Sequence, residues 1–384
     1  MGWLYHQPSL CTVYVLEVCK MKILLVKFLH IGDVLLMTPL LKNLKLHYPE
    51  SSIDVVVNKG TEEMLTGNPS INAIHIYDKA YMKNQTFLMR IKEEWSFIKK
   101  IRNEKYDMVI NTTNGDRGLA LALFSGTKTI VGYPVKKFLL LNHFIDKVIP
   151  RYKQKHAVDI NLNVLQVFGK EPLEKRVEIT WNKKADEKIT MLLKSMDIAE
   201  KGFIHFHPVS RWFFKCIDDK IAAKIIDFCQ EKLGIPVIIT GAPVDKEVKK
   251  IETILSYCKT VPVNFTGKLT LKETAALNKR SRLYVGVDTA IMHISAANDI
   301  PTLAFFGPSL PYVWGPWDNA FMESGYTKTK GNQSMGRHRL LQKSWECVPC
   351  DDKGCNKTYI SDCLIQMDMR EIEQNITEML ERKS

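Results

Sequence analysis

An aspartate after the first predicted strand has the chemistry of a general base. The apolar run at residues 23–26 is followed by Gly32 and Asp33, and then by a second apolar run that predicts a helix. Gly32 allows a tight turn there. A carboxylate at this strand-to-helix junction could accept the proton of an attacking hydroxyl. Aspartate is also favoured at helix N-termini, so the sequence leaves open whether Asp33 is a base or only caps the helix.

A basic loop follows the first predicted strand of the second half of the chain. Ser210, Arg211 and Lys215 come after the apolar run at residues 203–206. A hydroxyl, a guanidinium and an ammonium group at a strand end could together neutralise a diphosphate leaving group. The alternative is an ordinary surface loop whose two cations are solvated.

The segment at residues 285–297 predicts a strand that turns directly into a helix. The first amides of a helix have no intrahelical partner and carry the positive end of its dipole, so Asp288, Thr289 and Ala290 are predicted to form a pyrophosphate site. The alternative is a capped helix without a ligand. His293 either contacts the same ligand or belongs to a packed helix face, and for this histidine alone the packed face is favoured.

A further strand end carries Gly241, and Glu247 follows at the start of a predicted helix. Carboxylates at this position could hydrogen-bond ribose hydroxyls. They could equally favour the positive end of the helix dipole, which is the commoner role for any single residue.

Four of the nine cysteines are clustered near the end of the chain, at Cys347, Cys350, Cys355 and Cys363. The other five are scattered, which is typical of a reducing compartment. Four thiolates this close together could bind a structural zinc ion tetrahedrally. Because the spacing is not that of a standard zinc finger, free thiols or redox-sensitive pairs stay open as the alternative.

Short β-branched runs alternate with longer amphipathic stretches along most of the chain. This alternation predicts an α/β fold with mostly parallel sheets and helices on both faces. It restarts after a charged stretch at residues 170–201, which predicts two Rossmann-like halves that face a central cleft. The predicted strands include residues 23–26, 53–57, 73–76, 108–110, 203–206, 237–239, 283–285 and 303–306.

The composition favours anionic partners. The 384-residue chain has a formal net charge of +12, which suits phosphorylated small molecules, nucleic acid or an acidic membrane surface. No recognised nucleic-acid-binding module is present, so no nucleic-acid partner is predicted. No apolar run reaches the length of about 18 residues that spans a bilayer.

Taken in order, these segments resemble glycosyltransferase family 9, the heptosyltransferases of bacterial lipopolysaccharide core assembly. The resemblance covers nearly everything from residue 21 to the end. Its most specific parts are the first strand with Gly32-Asp33, the turn Gly286-Val287-Asp288-Thr289, and the later Phe306-Gly307-Pro308. The segment at residues 210–215 and the clustered cysteines are most similar to the branch that adds the third inner-core heptose.

The resemblance implies a GT-B fold, an ADP-heptose donor in the C-terminal domain and a lipid A-core acceptor in the N-terminal domain. Within the family pattern, Asp33 falls on the proposed catalytic base, Lys215 on the phosphate-binding lysine, and Asp288-Thr289 on the donor-binding turn. The resemblance also implies inversion at the anomeric carbon without a catalytic metal or other cofactor. A positive loop and a helix N-terminus would then stabilise the leaving group.

Such an acceptor would carry phosphates at the cytosolic face of the inner membrane, so a cytoplasmic protein peripheral to that membrane is expected. Arg117, Lys136 and Arg151 are predicted to contact the acceptor, because basic residues are dense in the first half of the chain. Individually, each is more often a solvated surface charge.

We expect residues 1–20 to be an N-terminal extension or an over-called start, 21–175 an acceptor-binding domain, 176–365 a nucleotide-sugar-binding domain, and 366–384 a C-terminal helix. Two other functions stay open at this point. One is a transferase that uses another nucleotide sugar, and the other is a non-catalytic protein that binds a sugar nucleotide.

Overall fold

The computed structural model describes residues 20–113, 115–135, 139–151 and 154–382. The chain forms two α/β halves, each built on one sheet. The predicted N-terminal extension lies outside the described residues, apart from Lys20.

Six strands form the first sheet, and all of their pairings are parallel. They are β1 Lys22–Lys27, β2 Ser52–Asn58, β3 Ala73–Tyr77, β4 Met108–Asn111, β5 Thr129–Gly132 and β6 Lys147–Val148. Their order is β3-β2-β1-β4-β5-β6. The side chains of residues 23–26 in β1 are fully buried, because helices on both faces shield every position of a central parallel strand.

The helices of the first half lie on two faces of this sheet. One layer, α1, α2 and α6, packs on Ile23 and Leu25, whereas the other, α4, α5 and a 3-10 segment, packs on Leu24 and Val26. The α-helices are α1 Ile31–Leu35, α2 Thr38–His47, α3 Lys79–Asn84, α4 Phe87–Asn103, α5 Asp116–Phe124 and α6 Ala157–Leu162, and the 3-10 segments are Glu62–Met64, Leu139–Phe144 and Asn163–Phe168.

Seven strands form the second sheet. They are β7 Ile204–His207, β8 Val237–Ile239, β9 Val263–Asn264, β10 Leu283–Val287, β11 Thr302–Phe306, β12 Gln333–Met335 and β13 His338–Gln342. Their order is β12-β13-β11-β10-β7-β8-β9. The pairs are parallel except for β12, which is antiparallel to β13 at the edge.

The helices of the second half cover both faces of this sheet. The final helix packs on α8 through Ile372 and Ile376, which lie one turn apart on its apolar face. The α-helices are α7 Lys183–Ser195, α8 Asp219–Asp227, α9 Asp245–Ser256, α10 Leu271–Lys279, α11 Ala290–Ala297, α12 Pro311–Trp314, α13 Asp362–Ile365 and α14 Met369–Glu381. A π-helical turn, Phe228–Lys232, extends α8, and the 3-10 turns are Phe213–Lys215 and Cys355–Lys357.

The two halves are joined by residues 170–182, which contain no helix or strand. The backbone of this linker is hydrogen-bonded to both halves. In the first half, the hydroxyl of Thr38 accepts the N–H of Glu178 at 3.0 Å. In the second half, Asn319 accepts the N–H of Val177 at 2.9 Å and donates to its carbonyl at 3.1 Å. The predicted domain boundary at residues 175 and 176 falls within this linker and stays a prediction.

The predicted fold class is confirmed. All eight predicted strands are present, and the strand predicted at residues 203–206 is shifted by one residue to Ile204–His207. In the parts of the chain that the structure describes, no helix is both long enough and apolar enough to cross a membrane.

Candidate functional site

The helices that follow the carboxyl ends of β1 and β10 meet, and we call the region around this contact the cleft. Helix α1 follows β1, helix α11 follows β10, and the two helices pack against each other. A single hydrophobic cluster continues through this contact, from Val34 and Leu35 to Ile291 and Met292. Residues at the starts of α1 and α11 are therefore held at the same place in the cleft, as expected for sites at strand ends.

Gly32 lies at the closest approach of the two helices. A Cβ atom at this position would be 3.1 Å from Cδ2 of His293 and 3.8 Å from Cα of Ala290. Gly32 is within α1 and does not have a left-handed φ. The tight turn proposed for Gly32 from the sequence is therefore wrong, and its missing side chain instead makes room for His293.

Asp33 is the third residue of α1 and is partly exposed. Its Oδ2 accepts the backbone N–H of His30 at 3.3 Å, so the capping role that the sequence allowed is present as a long hydrogen bond. The same carboxylate acts electrostatically on the buried Lys27. Burial lowers the pKa of Lys27 to about 8, although the negative charge of Asp33 acts in the other direction and raises it. The Lys27 amine donates to Oδ1 of Asn161 at 2.8 Å.

Lys215 and Asp288 form an ion pair on the other side of the cleft. The Nζ of Lys215 donates to Oδ2 of Asp288 at 2.6 Å. Burial alone would raise the pKa of Asp288, but the charge of Lys215 and the hydrogen bonds from Lys215 and the Ser309 hydroxyl outweigh it, and the pKa is lowered. Asp288 is therefore ionised at neutral pH, and Lys215 is its counter-charge.

The N-terminus of α11 adjoins this pair. Thr289 is the N-cap residue, and Ala290 opens the helix, whose first amides lack intrahelical acceptors. The Nδ1 atom of His293 is buried and has no hydrogen-bond partner among the described residues, and the Thr289 hydroxyl is buried beside the hydroxyl of Tyr284. Burial also lowers the pKa of His293 to about 4. The helix start thus combines free donors with a neutral imidazole, an arrangement that suits an anionic ligand.

The residues of the predicted phosphate-binding loop do not lie together in the structure. Lys215 reaches Asp288, but the guanidinium of Arg211 lies on the surface, 5.5 Å from the ring centroid of Trp212. Ser210 is buried, and its hydroxyl accepts the N–H of Trp212 at 3.2 Å. The solvated-loop alternative therefore describes Arg211, whereas Lys215 is part of the cleft.

Gly241 and Glu247 form a local turn beyond β8. A Cβ atom on Gly241 would be 3.0 Å from Cγ2 of Thr266. The buried carboxylate of Glu247 accepts the N–H of Ala242 at 2.9 Å. This contact fits the helix-start role that the sequence favoured for Glu247, and a contact from either residue to a ribose stays a prediction.

Two of the three candidate acceptor residues, Arg117 and Arg151, pack on an aromatic ring in the first half. The guanidinium of Arg117 is 5.0 Å from the ring centroid of Tyr77, and that of Arg151 is 5.4 Å from the ring centroid of Tyr133. Lys136 lies outside the described residues. The acceptor role of all three stays a prediction.

The segment that carries the clustered cysteines lies behind the Lys215–Asp288 pair. The Ser361 hydroxyl donates to the carbonyl of Phe214 at 2.6 Å, next to Lys215. The N–H of Asp351 donates to the carbonyl of Pro308 at 2.9 Å, next to Ser309. The segment therefore holds two of the loops that form this side of the cleft.

The four cysteines Cys347, Cys350, Cys355 and Cys363 are free thiols. Burial raises the pKa of Cys363 to about 12, and the other three thiols add to this effect. Across residues 20–382, leaving aside the gaps that the structure does not describe, no group of three or more His, Cys, Asp or Glu side chains is arranged to hold a metal ion. The arrangement of these thiols gives the predicted zinc site no support, and that site stays a prediction.

Two residues of the site were not predicted from the sequence. Ser309 donates to Asp288, and Gln342 holds the loop before it by donating to the carbonyls of Gly307 and Ser309 at 2.8 and 2.9 Å. The only signal for Ser309 was its position after the Phe306-Gly307-Pro308 turn. Gln342 is on β13 and carried no signal in the sequence.

A buried hydrogen-bond network beside β7 was also missed. Asn278 donates to Nδ1 of His205, and the hydroxyl of Thr240 lies 2.8 Å from Nε2 of His205 and 2.9 Å from Nδ1 of His207. Since Nδ1 of His205 accepts, its Nε2 donates to Thr240, and the Thr240 hydroxyl donates to His207. Burial lowers the pKa of His205 to about 3 and that of His207 to about 4. Both rings are therefore neutral, and the Nε2 atom of His207 carries the proton.

Two Rossmann-like halves that face a cleft, with a helix N-terminus on one side and the carboxylate of Asp33 on the other, define a glycosyltransferase of the GT-B class. The family model of glycosyltransferase family 9 (heptosyltransferase) matches residues 94–343. The chain belongs to this family.

Comparison with individual proteins supports the same assignment. Lipopolysaccharide heptosyltransferase 3 of Escherichia coli strain K12 is 28% identical over 84% of this chain and 92% of that protein. A glycosyl transferase family 9 protein of Veillonella parvula has a similar structure, with a TM-score of 0.77 at 21% identity over 95% of this chain and 98% of that one. Heptosyltransferase WaaC of E. coli, solved with ADP, gives a TM-score of 0.68 at 17% identity over 94% and 100%.

Proposed function

We propose that this protein transfers a heptose from ADP-heptose to the inner core of lipopolysaccharide, with inversion and without a catalytic metal ion. The observation that carries the proposal is the packing of α1, which contains Asp33, on α11, which begins just after Asp288, the partner of Lys215. The sequence relative named heptosyltransferase 3 supports the acceptor, and the structural relative that was solved with ADP supports the donor.

The donor diphosphate would be bound at the start of α11. Its oxygens would accept hydrogen bonds from the free amides of the first turn. Lys215 would supply the positive charge that the leaving ADP requires. A lysine and a helix N-terminus in a partly buried cleft can stabilise that charge in place of a divalent ion.

Asp33 would act as the general base. As the acceptor hydroxyl attacks the anomeric carbon, its proton passes to the carboxylate, and the bond between that carbon and the phosphate oxygen breaks with its electrons on ADP. Attack from the face opposite the leaving group inverts the anomeric centre. Phosphates of the acceptor would be bound by Arg117 and Arg151, and the membrane-anchored glycolipid would keep the enzyme at the cytosolic face of the inner membrane.

The test is a transfer assay with ADP-heptose and defined core acceptors, with and without EDTA, read by product mass. A gain of one heptose that survives EDTA is expected. Asp33→Asn should lower kcat by about 10²- to 10⁴-fold while ADP binding in calorimetry stays close to that of the unchanged protein. Asp245→Asn, which removes another acidic residue from the first turn of a helix, is the matched control and should keep full activity.

Other outcomes would support the alternatives. If transfer occurs only from a different nucleotide sugar, that sugar and not ADP-heptose is the donor. ADP binding without transfer to any acceptor would indicate a non-catalytic protein, and loss of all transfer in EDTA would refute the metal-independent mechanism.

A further inference from the structure

A large apolar surface is exposed on the first half of the chain. Helix α4 presents Phe87 and Leu88, whose surfaces are 77% and 78% exposed, together with the exposed side chains of Ile91 and Trp95. The ring of Phe124 at the end of α5 packs edge-on against Trp95, with centroids 5.3 Å apart. We call these five residues the α4 surface. Large contiguous exposed apolar patches are uncommon in monomeric proteins and often mark interaction sites.

The helical spacing places these side chains on one stripe. At 3.6 residues per turn, the four α4 residues at positions 87, 88, 91 and 95 fall within an arc of roughly 100°. Every residue of the α4 surface except Leu88 also lines an open cavity of about 370 Å³, together with Arg90, Glu94 and Ile98. By contrast, the only fully buried side chain of α4 is that of Ile101 near its end.

Basic side chains flank the stripe. Helix α4 carries five basic and two acidic residues, and all five basic side chains are exposed. The same helical spacing places Lys92 and Lys99 along one side of the stripe and Arg90 along the other. One of the two carboxylates, that of Glu94, is already engaged by the hydroxyl of Tyr77. An apolar stripe between cations is typical of helices that lie in the interface of an anionic bilayer.

A second element extends the same layer. The 3-10 segment Leu139–Phe144 covers the same face of the sheet as α4 and α5, because Leu141 packs into the cluster that contains Ile98 and Leu123. Its Leu139, Leu140 and Phe144 side chains are exposed. The exposed apolar side chains of both elements therefore belong to one face of the first half.

The position of α4 connects this face to the cleft. Because α4 ends before the start of β4, its N-terminal end, with Phe87 and Leu88, lies at the carboxyl edge of the sheet, where the cleft opens. The candidate acceptor residue Arg117 packs on Tyr77, whose hydroxyl donates to Glu94 of α4.

We infer that the α4 surface docks this protein onto an anionic lipid bilayer, with Phe87, Leu88 and Trp95 inserted at the headgroup boundary and the flanking cations on acidic headgroups. This inference rests on the proposed function, because a glycolipid acceptor is anchored in such a bilayer. The surface belongs to the acceptor-binding half, so docking brings the cleft to the acceptor and leaves the second half in water.

The test compares Phe87→Ser/Leu88→Ser with Met191→Ser/Val261→Ser, a control that removes two exposed apolar side chains from the second half. Sedimentation with vesicles of phosphatidylcholine and phosphatidylglycerol at a ratio of about 2:1 should show at least about tenfold weaker binding for the α4 variant only. Pure phosphatidylcholine vesicles should bind both proteins weakly, because the flanking cations then have no acidic headgroups.

Activity gives a second readout. On a deacylated, water-soluble acceptor, the α4 variant should keep its rate, whereas on an acceptor embedded in the anionic vesicles its rate should fall by about the factor lost in binding. Equal vesicle binding by the α4 variant and the control would overturn the inference. So would a dimer in sedimentation velocity that the α4 variant abolishes, because the face would then be a contact between two chains. Absence of transfer by the unchanged protein would refute the proposed function, and vesicle binding would still decide this inference.

Discussion

Removing the charge of Lys215 should destabilise the protein through Asp288. The side chain of Asp288 is 6% exposed and that of Lys215 is 24% exposed. Lys215→Met therefore leaves a buried carboxylate without its counter-charge. Breaking a buried pair in this way costs about 3–5 kcal/mol, and since water reaches the lysine end we expect about 2–3 kcal/mol, or roughly 5–10 °C in Tm for a domain of this size.

The double variant Lys215→Met/Asp288→Asn separates the pair from other effects. It removes both charges, so most of the lost stability should return, with a coupling energy of about 2 kcal/mol between the two positions. ADP affinity should stay low in the double variant, because the lysine that would contact the diphosphate is still absent. Lys224→Met, which removes an exposed lysine from α8, is the control and should change the free energy of unfolding by less than about 1 kcal/mol.

The pH dependence gives the sharper result. In the unchanged protein the pKa of Asp288 is lowered, so its stabilising contribution is present above the unfolded value of 3.8 and is lost as the pH falls through the folded pKa. In Lys215→Met, burial raises that pKa, so protonation stabilises the fold as the pH falls. Urea unfolding at pH 8 and pH 5 should therefore show a smaller difference between the two proteins at pH 5. A difference that is the same at both pH values, or no greater than that of Lys224→Met, would refute the argument.

Three further outcomes are expected. Gly32→Val should lower both Tm and kcat, because its added atoms overlap His293, whereas Gly115→Ala, whose Cβ has its nearest contact at 3.8 Å, should change neither in the same assays. Burial lowers the pKa values of five histidines, His156, His205, His207, His293 and His338, to about 3 or about 4, so the folded state binds fewer protons than the unfolded state between about pH 4 and 6.5. The free energy of unfolding, measured in urea, should therefore fall by several kcal/mol as the pH is lowered from about 6.5 to 4, and a flat profile would contradict these pKa values. Iodoacetamide should alkylate Cys347 well before Cys363, because Cys347 is exposed and burial raises the pKa of Cys363 to about 12; peptide mass spectrometry would expose the reverse order.

The fold could be predicted because buried parallel strands are continuous apolar runs. The run at residues 23–26 has no polar interruption, since helices cover both faces of the sheet. The candidate site residues were then sought at the ends of the predicted strands. Two of them, Asp288 and Lys215, are far apart in the sequence and contact each other in the cleft. The pattern alone placed each residue after a strand, and the fold shows that the two strands, β7 and β10, are neighbours.

Other features of the site depended on contacts that no local pattern encodes. By residue type alone, Arg211 and Lys215 were equivalent cations in a loop, and only the family resemblance singled out Lys215. In the structure Lys215 ends the 3-10 turn Phe213–Lys215 and contacts Asp288. The role of Gly32 depends on His293, which lies on the other half. Ser309 matters because of its hydrogen bond to the carboxylate of Asp288, and the two residues are brought together only by the fold of the sheet.

The contact between Gly32 and His293 has a consequence for recombining relatives of this protein. A chimera that takes its first half from one family member and its second half from another joins two surfaces that were never selected together. A larger residue at position 32 would push α1 away from α11, and a smaller residue at position 293 would leave a void between them. Exchange of acceptor specificity by swapping whole halves should therefore succeed when these two positions are transplanted as a matched set.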